Sequence, residues 1–407
     1  MRIEGDNMTS LRSGNRAAAL LCLHDENGMS RKRLAEKLGL TPAAITKIVS
    51  ELISEGLVTE GGFMPGRGAG RREIGLSLNA RKKCALGVFF GLGEAILSAT
   101  WMDGELIFSE KVELPLKADA EKEIRKISGR LMDLAEQNSI PRSSMIGLGI
   151  ALRGVISRDR KTAVSSYGTF SAENYPICEQ FEKHTGLKTV LSNNVRSMLA
   201  AQLFLSYDPH VESRFFMRCD SGIGGALSVG RSVRQGDNMQ CSEIGHIPVE
   251  AAGGKPCHCG KTGCLETISS PAYMLEEAKR ILDPERTPLL WKSAEEKKPD
   301  EIDIYDVLNA ARGGDEGACS VIDRGVTYLS EALKSLVYMI DPGSVILYGG
   351  IFDHPYYMSR LSAGVETGMD STHSVALEKS RFNGELEKLS APLLAVSQFM
   401  ESGGRII

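Results

Sequence analysis

The chain has 407 residues, of which 42% are hydrophobic and 25% charged, the proportions of a soluble globular protein, with a formal net charge of −4. The length exceeds one ordinary core, so two or three domains are expected, and the absence of any apolar run of bilayer length excludes a spanning helix. The polar opening MRIEGDNMTSLRSGNR and an odd count of nine cysteines read as a cytoplasmic protein with reduced thiols, clustered where they serve a metal.

Charge is unevenly placed. Residues 1–83 hold 14 Lys+Arg against 9 Asp+Glu, a net of +5, which leaves 34 against 43, a net of −9, for the remainder. A basic head on an acidic body suggests a head that meets an anion. From Asn15 to His24 the run NRAAALLCLH predicts a helix offering Leu20, Leu21 and Leu23 to a core. Ser30 is suited to cap a short second helix that buries Leu34 and Leu38 and stops at Gly39. Thr41 followed by Pro42 restarts a helix, in which Ile45, Val49, Leu52 and Ile53 recur at helical spacing. Thr41, Pro42, Ala43, Thr46, Lys47 and Ser50 are then left outward. Small and polar groups on the outer face of a second helix, after a tight turn, suit the major groove of duplex DNA.

Gly56 ends that helix. LVTE predicts a strand, GGFMPGRGAGRR a ribbon tip and EIGLSLN the returning strand, so Arg67, Arg71 and Arg72 put cations on a glycine-rich wing fit for phosphate or the minor groove. A solvated hairpin would read alike in isolation; the helix pair before it decides for DNA.

Beyond Lys83 the pattern changes. CALGVFFGLGEAILSATWMDGELIFSEKVEL predicts three strands with turns at Gly91–Glu94 and Asp103-Gly104. A helix over Ala120–Asn138, the strand MIGLGIAL and a strand running into a helix in KTVLSNNVRSMLAAQLFL follow. RFFMRCDSGIGGALSVG is a strand, a glycine turn and a strand; YLSEALKSLVYMID is an amphipathic helix, and SVILYGG a strand after Pro342-Gly343. Hairpins first and alternating helices and strands afterwards predict two α/β lobes with a ligand cleft between them. The domains are therefore set at 1–83 for a winged helix-turn-helix, 84–205 for the first lobe and 206–407 for the second, whose C-terminal helix can return to the first.

The segment KPCHCGKTGCLET packs Cys257, Cys259 and Cys264 into eight residues. Three thiols so close call for a tetrahedral zinc site, and on spacing the fourth ligand is His246, Cys241 or His258. Local geometry between two ligands would turn His258 away.

In this order behind a winged helix-turn-helix, NNVR, SGIGG, EIGH, CHCGKTGCLE and VILYGG resemble the ROK family of repressors, open reading frames and kinases, in its sugar-responsive repressor branch. The resemblance runs from about Asn15 to Ile351. It implies a two-lobed, actin-like (ribonuclease H-like) sugar-kinase fold, and it places the fourth ligand at His246. One structural Zn²⁺ per chain is then expected on His246, Cys257, Cys259 and Cys264. It further implies sugar contacts at Asn193, Asn194, Glu243, His246 and Glu266, whose carboxylates and amides match paired hydroxyls. A histidine can hold metal through one nitrogen and sugar through the other.

Several positions depart from the kinase pattern. The aspartate that takes the proton from the attacking hydroxyl is replaced by Asn194, and an amide is no base. In FFGLG, Phe89 stands for the aspartate of the first phosphate turn, Leu92 for a glycine and Gly93 for a threonine. No ATP-dependent transfer is expected. Leu152-Arg153-Gly154 replaces a Pro-Gly turn, and SSYGTFSAENYPI lacks the pattern common on the sugar's far side, so which sugar binds stays open.

The reading is thus a DNA-binding repressor of carbohydrate-utilisation genes that senses a sugar, acting as a homodimer or homotetramer on an inverted-repeat operator. A sugar kinase with an attached DNA-binding head is the alternative, and a zinc sensor a third.

Overall fold

The computed structural model describes residues 8–63, 73–367, 369 and 374–406. The chain divides into two compact units, Met1–Tyr207 with Glu387–Ile407, and Asp208–Leu386.

The first unit opens with helix α1 (Met8–Asp25), the two-residue strand β1 (Met29–Ser30), helices α2 (Arg31–Leu38) and α3 (Pro42–Ser54) and strands β2 (Val58–Phe63) and β3 (Ile74–Leu78). The caps form where the sequence places them. Ser30 accepts from Arg33 N at 3.3 Å, Gly39 is left-handed at φ 63°, and Thr41 accepts from Ala44 N at 3.3 Å. The three strands pair in the order β1-β3-β2 and complete a winged helix-turn-helix. Burial falls on Leu20, Leu23, Leu34, Ile45, Ile48, Val49 and Leu52. Leu21, Leu38 and Ile53, expected inside, are only partly covered, because the core-facing stripe of α3 takes Ile48 instead of Ile53. Helix α1 also starts seven residues before the apolar run. Its polar first turns are held by tertiary bonds, among them Arg12 to Glu51 and Ser13 Oγ to Ser402 O at 3.0 Å.

The rest of this unit is a five-stranded sheet ordered β10-β7-β4-β5-β6. Strands β4 (Cys84–Phe90), β5 (Glu94–Trp101) and β6 (Leu106–Glu113) form an antiparallel meander; β7 (Met145–Leu152) and β10 (Thr189–Asn193) add in parallel. Strands β8 (Val155–Ile156) and β9 (Ala163–Ser165) make a small hairpin, and helices α4 (Ala120–Gln137), α5 (Ile177–Thr185) and α6 (Asn194–Leu205) connect the elements.

The second unit repeats the scheme in a sheet ordered β13-β12-β11-β14-β15. Strands β11 (Ser213–Cys219), β12 (Ile223–Val229) and β13 (Ser232–Val233) are antiparallel, and β14 (Ser344–Tyr348) and β15 (Ala376–Lys379) are parallel to β11. Helices α7 (Glu266–Ser269), α8 (Pro271–Arg280), α9 (Pro288–Lys297), α10 (Ile304–Arg312), α11 (Glu316–Ile340) and α12 (Pro355–Glu366) surround it. Its core runs from Phe215 and Met217 on the sheet to Leu329 and Leu333 on α11. Helix α13 (Leu386–Glu401) returns to the first unit and packs flush on β4 and β7. A Cβ at Gly87 would overlap Pro392, and one at Gly149 would overlap the Ala391 carbonyl. Glycine at both places lets a helix backbone touch the sheet.

Candidate functional site

Three sets of residues carry chemistry. On the head, Thr41, Pro42, Ala43, Thr46, Lys47 and Ser50 are all exposed, while the opposite face of α3 is buried. The Thr46 hydroxyl donates back to Pro42 O at 2.7 Å, and Lys47 projects from the same face. Arg67, Arg71 and Arg72 lie outside the described residues.

The second set is the cysteine loop. Bridges Pro248 to Cys264 and Pro256 to Thr262 fold it, Gly260 N donates to Cys257 O at 3.0 Å and Cys257 N to Lys261 O at 2.8 Å. The ligand atoms of His246, Cys257, Cys259 and Cys264 all lie within 4.8 Å of one another. Cys259 Sγ and Cys264 Sγ are 3.7 Å apart, and Cys257 Sγ is 3.6 Å from His246 Nδ1. A tetrahedral ion with thiolate bonds of about 2.3 Å and an imidazole bond of about 2.0–2.1 Å requires edges of roughly 3.8 and 3.6 Å, so the residues fit such an ion before it arrives. Burial, ahead of hydrogen bonding with the neighbouring thiols, pushes the Cys257 thiol up to about 12. A divalent cation is what would let three thiolates stand together there.

The third set surrounds Glu266, at the start of α7. This side chain is 5% exposed; Oε2 accepts from Ile223 N at 2.9 Å and Oε1 lies 2.9 Å from His258 Nδ1. Burial opposes its ionisation, but the His258 hydrogen bond and charge, the Ile223 N–H and His246 together hold its carboxyl below the ordinary value. Two glycines make the arrangement possible. A Cβ at Gly222 would overlap Glu266 Oε2, and one at Gly245 would overlap the Ile223 carbonyl, so the turn of SGIGG and the loop of EIGH lie against each other without a gap. Glu243 and His246, both half-buried, sit on that loop. His246 and His258 meet edge to face at 5.1 Å.

Sequence reasoning missed His258. Its Nδ1 lies 2.9 Å from the Glu266 carboxylate and 4.0 Å from Cys257 Sγ, while the residue stays exposed, so it links the acid to the edge of the thiol cluster. The signal was a histidine between two candidate ligands of a tight loop, eight residues before an acid.

In the other unit, Asn193 ends β10 and caps α6: Oδ1 accepts from Val195 N at 3.0 Å and Arg196 N at 3.3 Å, and Nδ2 donates to Gly154 O at 3.0 Å. This local duty occupies most of its capacity. Asn194, the first residue of α6, is 4% exposed. Phe89 is 1% exposed near the end of β4 and pairs in register with Ala151 of β7, while Leu92 projects, 49% exposed, from the β4–β5 turn.

Residues 86–386 match the model of the ROK family, and residues 15–59 that of a winged helix-turn-helix DNA-binding domain. The N-acetylglucosamine repressor of Escherichia coli is 28% identical over 338 residues, 82% of this chain and 80% of that protein. Among solved structures, a ROK family transcriptional regulator, a homologue of the E. coli MLC protein, superposes with a TM-score of 0.82 at 22% identity, covering 97% of this chain and 98% of that one. A ROK family glucokinase from Streptomyces griseus, solved with glucose and AMPPNP, gives 0.64 at 20% identity over 76% of this chain and 98% of its own. The architecture is therefore a winged helix-turn-helix followed by the actin-like body of ROK repressors and kinases. Among the described residues no helix is long and apolar enough to cross a membrane.

Proposed function

The chain belongs to the ROK family, and from that premise we propose that it is a sugar-responsive transcriptional repressor without kinase activity. The observation that carries this reading is the outer face of α3, with Thr41, Pro42, Ala43, Thr46, Lys47 and Ser50 exposed in a winged helix-turn-helix joined to a sugar-kinase-like body. One head contacts too few phosphates to hold an operator, so the protein acts as a homodimer or homotetramer on an inverted repeat. The wing arginines Arg67, Arg71 and Arg72 add phosphate or minor-groove contacts. The effector is a sugar touched by Asn193, Asn194, Glu243, His246 and Glu266, and its binding lowers operator affinity. His246, Cys257, Cys259 and Cys264 hold one zinc ion, whose closed four-ligand shell braces the loop carrying Glu266 and leaves no vacancy for catalysis.

The test is selection of duplexes from a random pool by the full-length protein, followed by anisotropy titration with and without sugars. Thr46→Ala or Lys47→Ala should change the preferred sequence at a cost of about 1–3 kcal/mol, whereas Arg71→Ala should weaken all sequences and reduce the salt slope by about one. Residues 84–407 binding the selected duplex as tightly as the whole chain would sink the proposal.

Family members include kinases as well as repressors, so turnover has its own test. Asn194 offers an amide where transfer needs a carboxylate base, and buried Phe89 offers hydrocarbon where magnesium or its water is held. No sugar-dependent ATP hydrolysis is expected, and Asn194→Asp should not create it while Phe89 and Leu92 remain. Robust turnover by the unmodified protein would make it a kinase.

A further inference from the structure

The carboxyl-terminal residues are built into the head. Helix α13 ends in a glycine cap, with Gly403 N donating to Met400 O and Gly404 N to Phe399 O, both at 2.9 Å, and with left-handed φ of 73° and 83°. This turn presents two carbonyls to α1. Ser402 O accepts from Ser13 Oγ at 3.0 Å and Gly403 O from Arg16 Nε at 2.9 Å. The approach is too close for side chains: a Cβ on Gly403 would stand 2.9 Å from Arg16 Cβ, and one on Gly404 2.6 Å from Leu57 Cδ1.

Arg16 joins this segment to the recognition helix. Its side chain is 1% exposed, and its two terminal nitrogens reach Glu51 Oε2 at 3.2 Å and Glu55 Oε2 at 2.6 Å, both on or just beyond α3. A buried guanidinium is stable only with its donors engaged, so the carbonyl and the two carboxylates must stay together. At its other end the segment continues into α13, which lies flush on β4 and β7 of the sheet whose last parallel strand ends at Asn193. A continuous path thus runs from that sheet through α13 and its terminal turn, and across the Arg16 side chain, to the carboxylates on and just beyond α3.

We propose that residues 402–405 are a strap that holds the DNA-binding head in its reading orientation, and that Arg16 is the positioning residue that fastens the strap to the recognition helix. The inference rests on the reading of α3 as the DNA-facing helix. Without the strap, the head samples other orientations, and apparent operator affinity falls by the fraction of time it is correctly placed. The phosphate contacts themselves are unchanged, so the salt slope is unchanged.

Full-length Arg16→Met, Gly403→Val and the double variant test this by hydrogen–deuterium exchange over residues 15–60 and by titration of the selected duplex. Expected are faster exchange in α1 and α3, an affinity loss of about tenfold at an unaltered salt slope, and a double variant no worse than either single one, since both break one connection. Additive losses in the double variant, or wild-type exchange together with wild-type affinity, overturn the strap. If Gly403→Val does not fold, Gly403→Ala and Arg16→Met form the same cycle. A wild-type protein that binds no duplex would refute the repressor reading, whereas hydrogen–deuterium exchange across the same single and double variants would still decide the strap.

Discussion

Cys259→Ser should empty the metal site, taking zinc from about one per chain to near none by elemental analysis after dialysis, and abolish the response to sugar. Cys259 Sγ stands 3.7 Å from Cys264 Sγ, and a serine hydroxyl, on a shorter bond and a far poorer zinc ligand than a thiolate, would not fill its place. The consequence travels a short distance. Cys264 and Glu266 are two residues apart, and Lys261 Nζ donates to His246 O at 2.9 Å, so the loop that loses the metal carries the acid and holds the neighbouring loop with the histidine, both proposed as sugar contacts. Ligand protection is the readout: thermal stabilisation by an effective sugar should vanish with the zinc. Full metal retention would remove Cys259 from the ligand set. Loss of metal with an intact sugar response would separate the brace from the effector site.

The second large effect is expected at Glu266. Glu266→Gln keeps volume and the acceptor for Ile223 N–H but removes the charge, and hydrogen bonds to a charged group are worth about 1.5–3 kcal/mol, so sugar affinity should fall roughly 10- to 150-fold. The side chain cannot swing to another pose, since Gly222 gives it only the space of a missing Cβ and His258 holds Oε1 at 2.9 Å. Calorimetric titration with the sugar that stabilises the wild-type protein measures this, with zinc content as the control for folding. An unchanged dissociation constant at normal zinc content would take Glu266 out of the sugar contacts.

Much of this was legible because the deciding signals are local. Ser30, Gly39, Thr41 and Pro42 act on backbone groups within three or four residues, so the helix-turn-helix and its outward face can be read directly, as can the close grouping of the three cysteines. Where two burial patterns compete the sequence is less decisive, and Ile48 took the place expected of Ile53 because the stripe seen by α1 and the wing is set by helix crossing rather than by spacing.

The sequence by itself determined the parts: a capped second helix with a small, polar outer face, and a cluster of three thiols in one short loop. Only the tertiary structure decided how residues far apart in the chain are brought together. His258 meets Glu266, Gly222 makes room for that carboxylate, and Arg16 closes on Gly403 across 387 positions of chain. None of these leaves a periodic or spacing signal, because each depends on where two backbones approach, and a glycine in the chain looks the same whether it serves a turn or clears space for a distant side chain.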